Sequence, residues 1–199
     1  SLSGPKQQLA VSKQLANFMR DAIDQNQSPL WIAQREGRAK DGNDKTEAAV
    51  LKMLSLSRDK SSEKPDEVLG RLKIVPLTIS YEIDPCDVLK AQELIVGAAY
   101  EKAPFEDLDS IARGILGAKG HVHLHFGSPL DGPSLSVTDA VALIDVSMVE
   151  NFQLFKTNFW ACDALGITAP PAMQDCAKAS ITKAGFMARF DGLPYLERQ

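Results

Sequence analysis

Lys73-Ile74-Val75-Pro76-Leu77-Thr78-Ile79-Ser80-Tyr81 decides the fold. A near-continuous run of β-branched and apolar residues reads as a strand covered on both faces. Downstream, Asp84-Pro85 is a helix start, an acid at the N-cap followed by Pro at N1. Val88, Ala91, Ile95 and Ala98 form its apolar stripe. Leu108, Ile111, Ala112, Ile115 and Leu116 recur at i, i+3, i+4, i+7 and i+8, a second helix closed by Gly117 and Gly120. His121 to Phe126 then alternates strictly, as a strand does, before a turn-rich loop from Gly127 to Pro133. Ser136 with Asp139 forms a capping box for a long amphipathic helix carrying Val141, Ile144, Met148, Phe152 and Phe155. Shorter helices follow, with breaks at Gly166 and Pro170-Pro171.

Upstream, Pro5 opens a helix whose apolar spacing runs through Val11, Leu15, Phe18, Met19, Ala22 and Ile23. Leu30-Trp31-Ile32-Ala33 reads as a short buried strand. Asp44 with Glu47 caps a helix that buries Ala49, Val50, Met53 and Leu54. Residues 57–65 are polar and charged, an exposed loop. Strands separated by helices imply an α/β fold, a mostly parallel or mixed sheet flanked by helices, with a helical C-terminal tail. The expected division is an α/β domain over 1–133 and a helical extension over 134–199.

Composition limits function. The 199 residues carry 22 Lys and Arg against 26 Asp and Glu, a net charge of −4. That balance argues against a nucleic-acid partner, which wants a basic surface. Three Cys without C-x-x-C spacing argue against a disulfide framework or a structural zinc. No apolar run reaches transmembrane length. His121, His123 and His125 share one strand face, yet no local acid completes a metal set, so no metal is expected. Phe152, Phe155, Phe159 and Trp160 read as core packing, with contact to a membrane surface the minority reading.

The loop Arg35-Glu36-Gly37-Arg38-Ala39-Lys40-Asp41-Gly42-Asn43-Asp44-Lys45 carries the chemistry. It leaves a strand and enters a helix, where α/β proteins place ligands. Arg35, Arg38 and Lys40 can converge on a phosphate, and Gly37 lets the backbone approach. Glu36 can orient an Arg or accept a hydrogen bond from a hydroxyl.

With Ile74-Val75-Pro76-Leu77 and the strand exit Phe126-Gly127-Ser128-Pro129-Leu130, this loop resembles the glycerolipid acyltransferase family, the glycerol-3-phosphate and lysophosphatidate acyltransferases. The likeness covers roughly residues 1–130. It implies transfer of an acyl group from acyl-CoA or acyl carrier protein to a hydroxyl of a phosphorylated glycerol or lysophospholipid acceptor, in phospholipid biosynthesis. Arg35, Glu36, Gly37, Arg38 and Lys40 would bind the acceptor, and Pro76 would shape the strand beside it. No cofactor beyond the acyl thioester is implied. The location implied is cytoplasmic, peripheral on the inner face of the plasma membrane.

Two departures bear on this likeness. Ala39 stands where the family's Glu-Gly-x-Arg has its Arg, so either one residue is deleted or Arg38 and Lys40 share that role. The family's His-x-x-x-x-Asp is absent: five residues beyond His121, His123 and His125 stand Phe126, Ser128 and Leu130. The family places that motif before the loop, and the chain opens at Ser1 without Met. The expectation is therefore the C-terminal part of a longer acyltransferase, inactive alone. The alternatives are a non-catalytic phosphate- or lipid-binding module and a helical interaction module whose surface is the tail after Val137.

Overall fold

A computed structural model of the chain describes residues 4–25, 28–34, 42–64, 66–169 and 178–191. In chain order the elements are α1 (Pro5–Asp24), α2 (Ala48–Ser55), α3 (Glu67–Arg71), β1 (Leu77–Tyr81), α4 (Asp87–Val96), α5 (Glu106–Leu116), β2 (Val122–Phe126), α6 (Val137–Glu150), α7 (Lys156–Ala164) and α8 (Lys183–Met187). Short 3-10 turns follow α4 and α8. Two compact units emerge, one of Ser1–Thr78 with Phe126–Asn151, the other of Ile79–His125 with Phe152–Gln199.

The sheet corrects the expected architecture. Among the described residues it has two strands, β1 and β2, and they run antiparallel rather than parallel. Glu82 N–H donates to His121 O at 2.9 Å and Gly127 N–H to Pro76 O at 2.9 Å, which fixes the register. The physical reason lies in the connection. One helix between strands returns the chain to its starting end and makes the next strand parallel. Two helices, α4 and α5, leave it at the opposite end. Leu30–Ala33 is not a strand either. Among the described residues it has no strand partner, and Trp31 is 81% exposed.

The first unit is built on apolar burial. Leu51 and Leu54 of α2, Val68 and Leu69 of α3, Leu72, Leu130, Leu135, and Ala140 and Ile144 of α6 form one cluster. Each large side chain removed from water contributes about 1.5–3 kcal/mol. Gly70 is required there, because a Cβ would overlap the Gly132 carbonyl. Met19 and Ile23 of α1 pack on the cluster, but Leu9, Val11, Leu15 and Phe18 stay exposed. The helix α6 begins as its sequence predicts: Ser136 is the N-cap and its Oγ accepts from Asp139 N–H at 3.1 Å. It ends at Glu150, short of Phe152. Asp44 does not cap α2; Glu47 occupies the N-cap with no side-chain bond.

The second unit turns its elements the other way. Phe155, Phe159 and Phe186 are buried, with Ile83 and Cys86. Ser80, Glu82 and Thr157 are buried too. On α5 the apolar stripe Leu108, Ile111, Ile115 and Leu116 is exposed and no residue is buried. On β2 Val122, Leu124 and Phe126 are exposed, while His123 and His125 are half-buried. The helix expected at Asp84-Pro85 starts at Asp87, because Asp84 Oδ1 accepts from Cys86 N–H at 2.8 Å and holds a turn there.

Candidate functional site

The loop residues Arg35, Glu36, Gly37, Arg38 and Lys40 lie outside the described residues, but both flanks are placed. On the N-terminal side, Gln34 Nε2 donates to Met148 Sδ at 3.7 Å. On the C-terminal side, Thr46 N–H donates to Asp145 Oδ1 at 2.8 Å. Asp145 and Met148 are three residues apart on α6, hence neighbours on one helix face. The two ends of the loop are therefore drawn to a single helical turn.

That turn also meets the other two segments that carry the family likeness. Buried Pro76 accepts from Gly127 N–H, and Ile74 O accepts from Leu130 N–H at 2.7 Å. A Cβ on Gly127 would stand 2.7 Å from Ser147 Oγ and 3.4 Å from Pro76 Cβ. Glycine is thus what lets the strand exit lie between Pro76 and α6. Sequence reasoning found α6 as a helix from its Ser136–Asp139 cap but gave it no place at the site.

Two side-chain oxygens at the loop ends, Gln34 Oε1 and Thr46 Oγ1, are buried and have no hydrogen-bond partner among the described residues. Buried polar atoms are nearly always paired, so unpaired ones call for an explanation.

A second polar cluster centres on Glu82, whose side chain is 0% exposed. Its carboxylate accepts from His121 N–H and His121 Nδ1, both at 2.8 Å, and from Ser180 N–H and Oγ, both at 2.6 Å. Burial alone would raise its pKa. The Ser180 and His121 hydrogen bonds outweigh that and bring it down to about 2. The contact with Glu82 at Nδ1 sets the His121 ring, which stacks on Phe155 with centroids 6.2 Å apart. Thr157 Oγ1 donates to the Glu82 carbonyl at 2.7 Å. The cluster joins the end of β1, the start of β2, the segment at Ser180 and the first turn of α7.

A recess of about 390 Å³ lies beside α5, lined by Pro85, Leu116, Arg113 and Arg189. Both guanidiniums are engaged there, Arg113 by Asp109 at 2.7 Å and Arg189 by both Asp87 oxygens at 2.8 and 2.9 Å. His123 and His125 stack on each other. Among the described residues no group of three or more His, Cys, Asp or Glu is arranged to hold a metal ion. Nor, among them, is any helix long and apolar enough to cross a membrane.

Comparison of the chain with protein-family models, curated proteins and solved structures gives no match.

Proposed function

We propose that this chain is the acceptor-binding part of a glycerolipid O-acyltransferase. The observation that carries the reading is the convergence on α6. Both flanks of the Arg35–Lys40 loop reach Asp145 and Met148, and Gly127 reaches Ser147 beside Pro76. Three segments singled out by the family likeness thus share one platform.

In this reading Arg38, with Lys40 and Arg35, holds the phosphate of a glycerol phosphate or lysophosphatidate. Glu36 orients the guanidiniums, and Gly37 admits the phosphate to the backbone. Fixing the phosphate fixes the acceptor hydroxyl, and such positioning is worth several powers of ten in rate. The hydroxyl oxygen attacks the thioester carbonyl of acyl-CoA or acyl carrier protein. A tetrahedral oxyanion forms, the C–S bond breaks, and the hydroxyl proton passes by way of a base to the departing thiolate. The His-x-x-x-x-Asp base is not in this chain, which transfers no acyl group alone. The acyl thioester is its only co-substrate, and its place of work is the cytoplasmic face of a membrane.

Calorimetry with glycerol 3-phosphate tests the reading. The 199-residue chain is expected to bind it, and Arg38→Ala to lower affinity at least tenfold, with most of the salt dependence lost. Equal binding by the variant would sink the assignment.

A second reading is an interaction module whose surface is not the tail after Val137 but the outward apolar stripe of α5 and the exposed apolar residues of β2.

A further inference from the structure

The geometry points to a two-fold dimer in which α5 pairs antiparallel with α5 of a second copy, each Phe105 entering the other copy's recess beside Arg113 and Arg189. The inference is independent of the acceptor reading and draws on the second unit alone. Phe105, Leu108, Ala112 and Leu116 stand at i, i+3, i+7 and i+11, on one helical face. Phe105 is 80% exposed and Leu116 84%. Leu108, Ile111 and Ile115 belong to the same outward stripe, and each is more than half exposed. Together they open on the order of several hundred Å² to water, the size at which an apolar patch marks an interaction site.

Shape and charge name the partner. Phe105 is the N-cap of α5 and has a φ of +66°, in the left-handed region that a bulky side chain rarely adopts. Its exposed ring is a knob at one end of the helix. The recess of about 390 Å³ is a hole at the other end, lined by Pro85, Ala112, Arg113, Leu116 and Arg189. Its apolar wall suits a ring, and its guanidiniums, held by Asp109 and Asp87, attract the ring's face. The helix has 11 residues and is about 16 Å long. Two copies turned end for end about a two-fold axis bring both knobs to both holes at once, a closed and isologous contact. Charge selects that direction. The first turn carries Glu106, Asp107 and Asp109, the last turn carries Arg113, and Lys119 follows. Antiparallel pairing sets each acidic end beside the other copy's basic end, whereas parallel pairing sets like charges together.

Sedimentation velocity of the full chain, from about 1 μM to about 500 μM, tests the pairing. The wild type is expected to pass from monomer to dimer in the micromolar range. Phe105→Gly removes the knob and suits the positive φ. It should weaken dimerisation at least tenfold, while the dilute protein melts at the same temperature or higher. Ala112→Arg plugs the recess from an exposed helical position and should weaken dimerisation with dilute melting unchanged. Amine cross-linking of mixed isotope-labelled and unlabelled copies should join Lys102 of one copy to Lys119 of the other. A chain still monomeric at about 500 μM would overturn the inference and leave the stripe to a different partner. A dimer indifferent to Phe105→Gly or to Ala112→Arg would overturn it too, as would Lys102 joined to Lys102 across copies. So would a dilute Phe105→Gly protein that melts well below the wild type, because the ring would then belong to its own chain's core.

Discussion

The two units solve the burial problem with opposite chemistry. In the first, α2, α3 and α6 put Leu, Val and Ile inside around a wholly apolar cluster, while apolar residues of α1 stay exposed. In the second, the central buried group is the carboxylate of Glu82, and the apolar residues of α5 and β2 face outward. An apolar core is non-directional and tolerates small shifts. A buried carboxylate holds only while its donors stay within hydrogen-bond reach, because losing one exposes the full cost of a buried polar group. The first unit should therefore answer to lost volume, the second to lost charge and to pH.

The largest effect is expected in the first core. Leu69 is 1% exposed and belongs to the cluster. Leu69→Ala should cost about 2–5 kcal/mol, the transfer term plus the cavity left behind. Urea denaturation followed by circular dichroism measures it. A loss under about 1 kcal/mol would mean that the first unit is not held by this cluster.

Next is the Glu82 cluster. Glu82→Gln keeps the shape but loses the charge that four hydrogen bonds address, and should cost about 2–3 kcal/mol. The sign of the pH effect follows from the direction of the shift. The folded-state pKa is lowered to about 2 from an ordinary value near 4.5. Stability from Glu82 is therefore fully present above about pH 4.5 and drains away as pH falls toward 2. Melting curves over that window should slope for the wild type and flatten in Glu82→Gln. A wild type with no acid slope beyond that of the variant would remove Glu82 from its central place.

The contrast between the units explains which features the sequence made legible. Ser136 and Asp139 mark a helix start because capping is local chemistry, and α6 begins there. The α5 periodicity likewise marks a helix over the right residues. Periodicity says which residues share a face but not which face turns inward. On β2 the alternation leaves open which side faces inward, and in the structure Val122, Leu124 and Phe126 are exposed while His123 and His125 are half-buried. Strand direction is within reach of the sequence, since two helices are read between the strands; the parallel expectation comes from treating each connection as a single crossover. At the candidate site, the cations and Pro76 are picked out by residue type alone. Asp145, Ser147, Gln34 and Thr46 are not, since their roles arise only when α6 meets the loop ends.

The smallest expected effect is also the sharpest probe of the contrast. Ile115 is 71% exposed on the outward stripe of α5. By helical spacing alone it is a core residue, and Ile115→Lys would then cost several kcal/mol. With the stripe outward, the Lys ammonium meets water near the negative end of the helix, and stability should change by no more than about 0.5 kcal/mol. The same variant should reduce any concentration dependence of the melting temperature, since exposed apolar stripes drive association. A dilute wild type that melts with Ile115→Lys at one temperature, and a concentrated one that melts higher, would tie the stripe to a second copy of the chain. A variant that loses more than 2 kcal/mol even when dilute would instead place the stripe inside the fold and dissolve the contrast between the units.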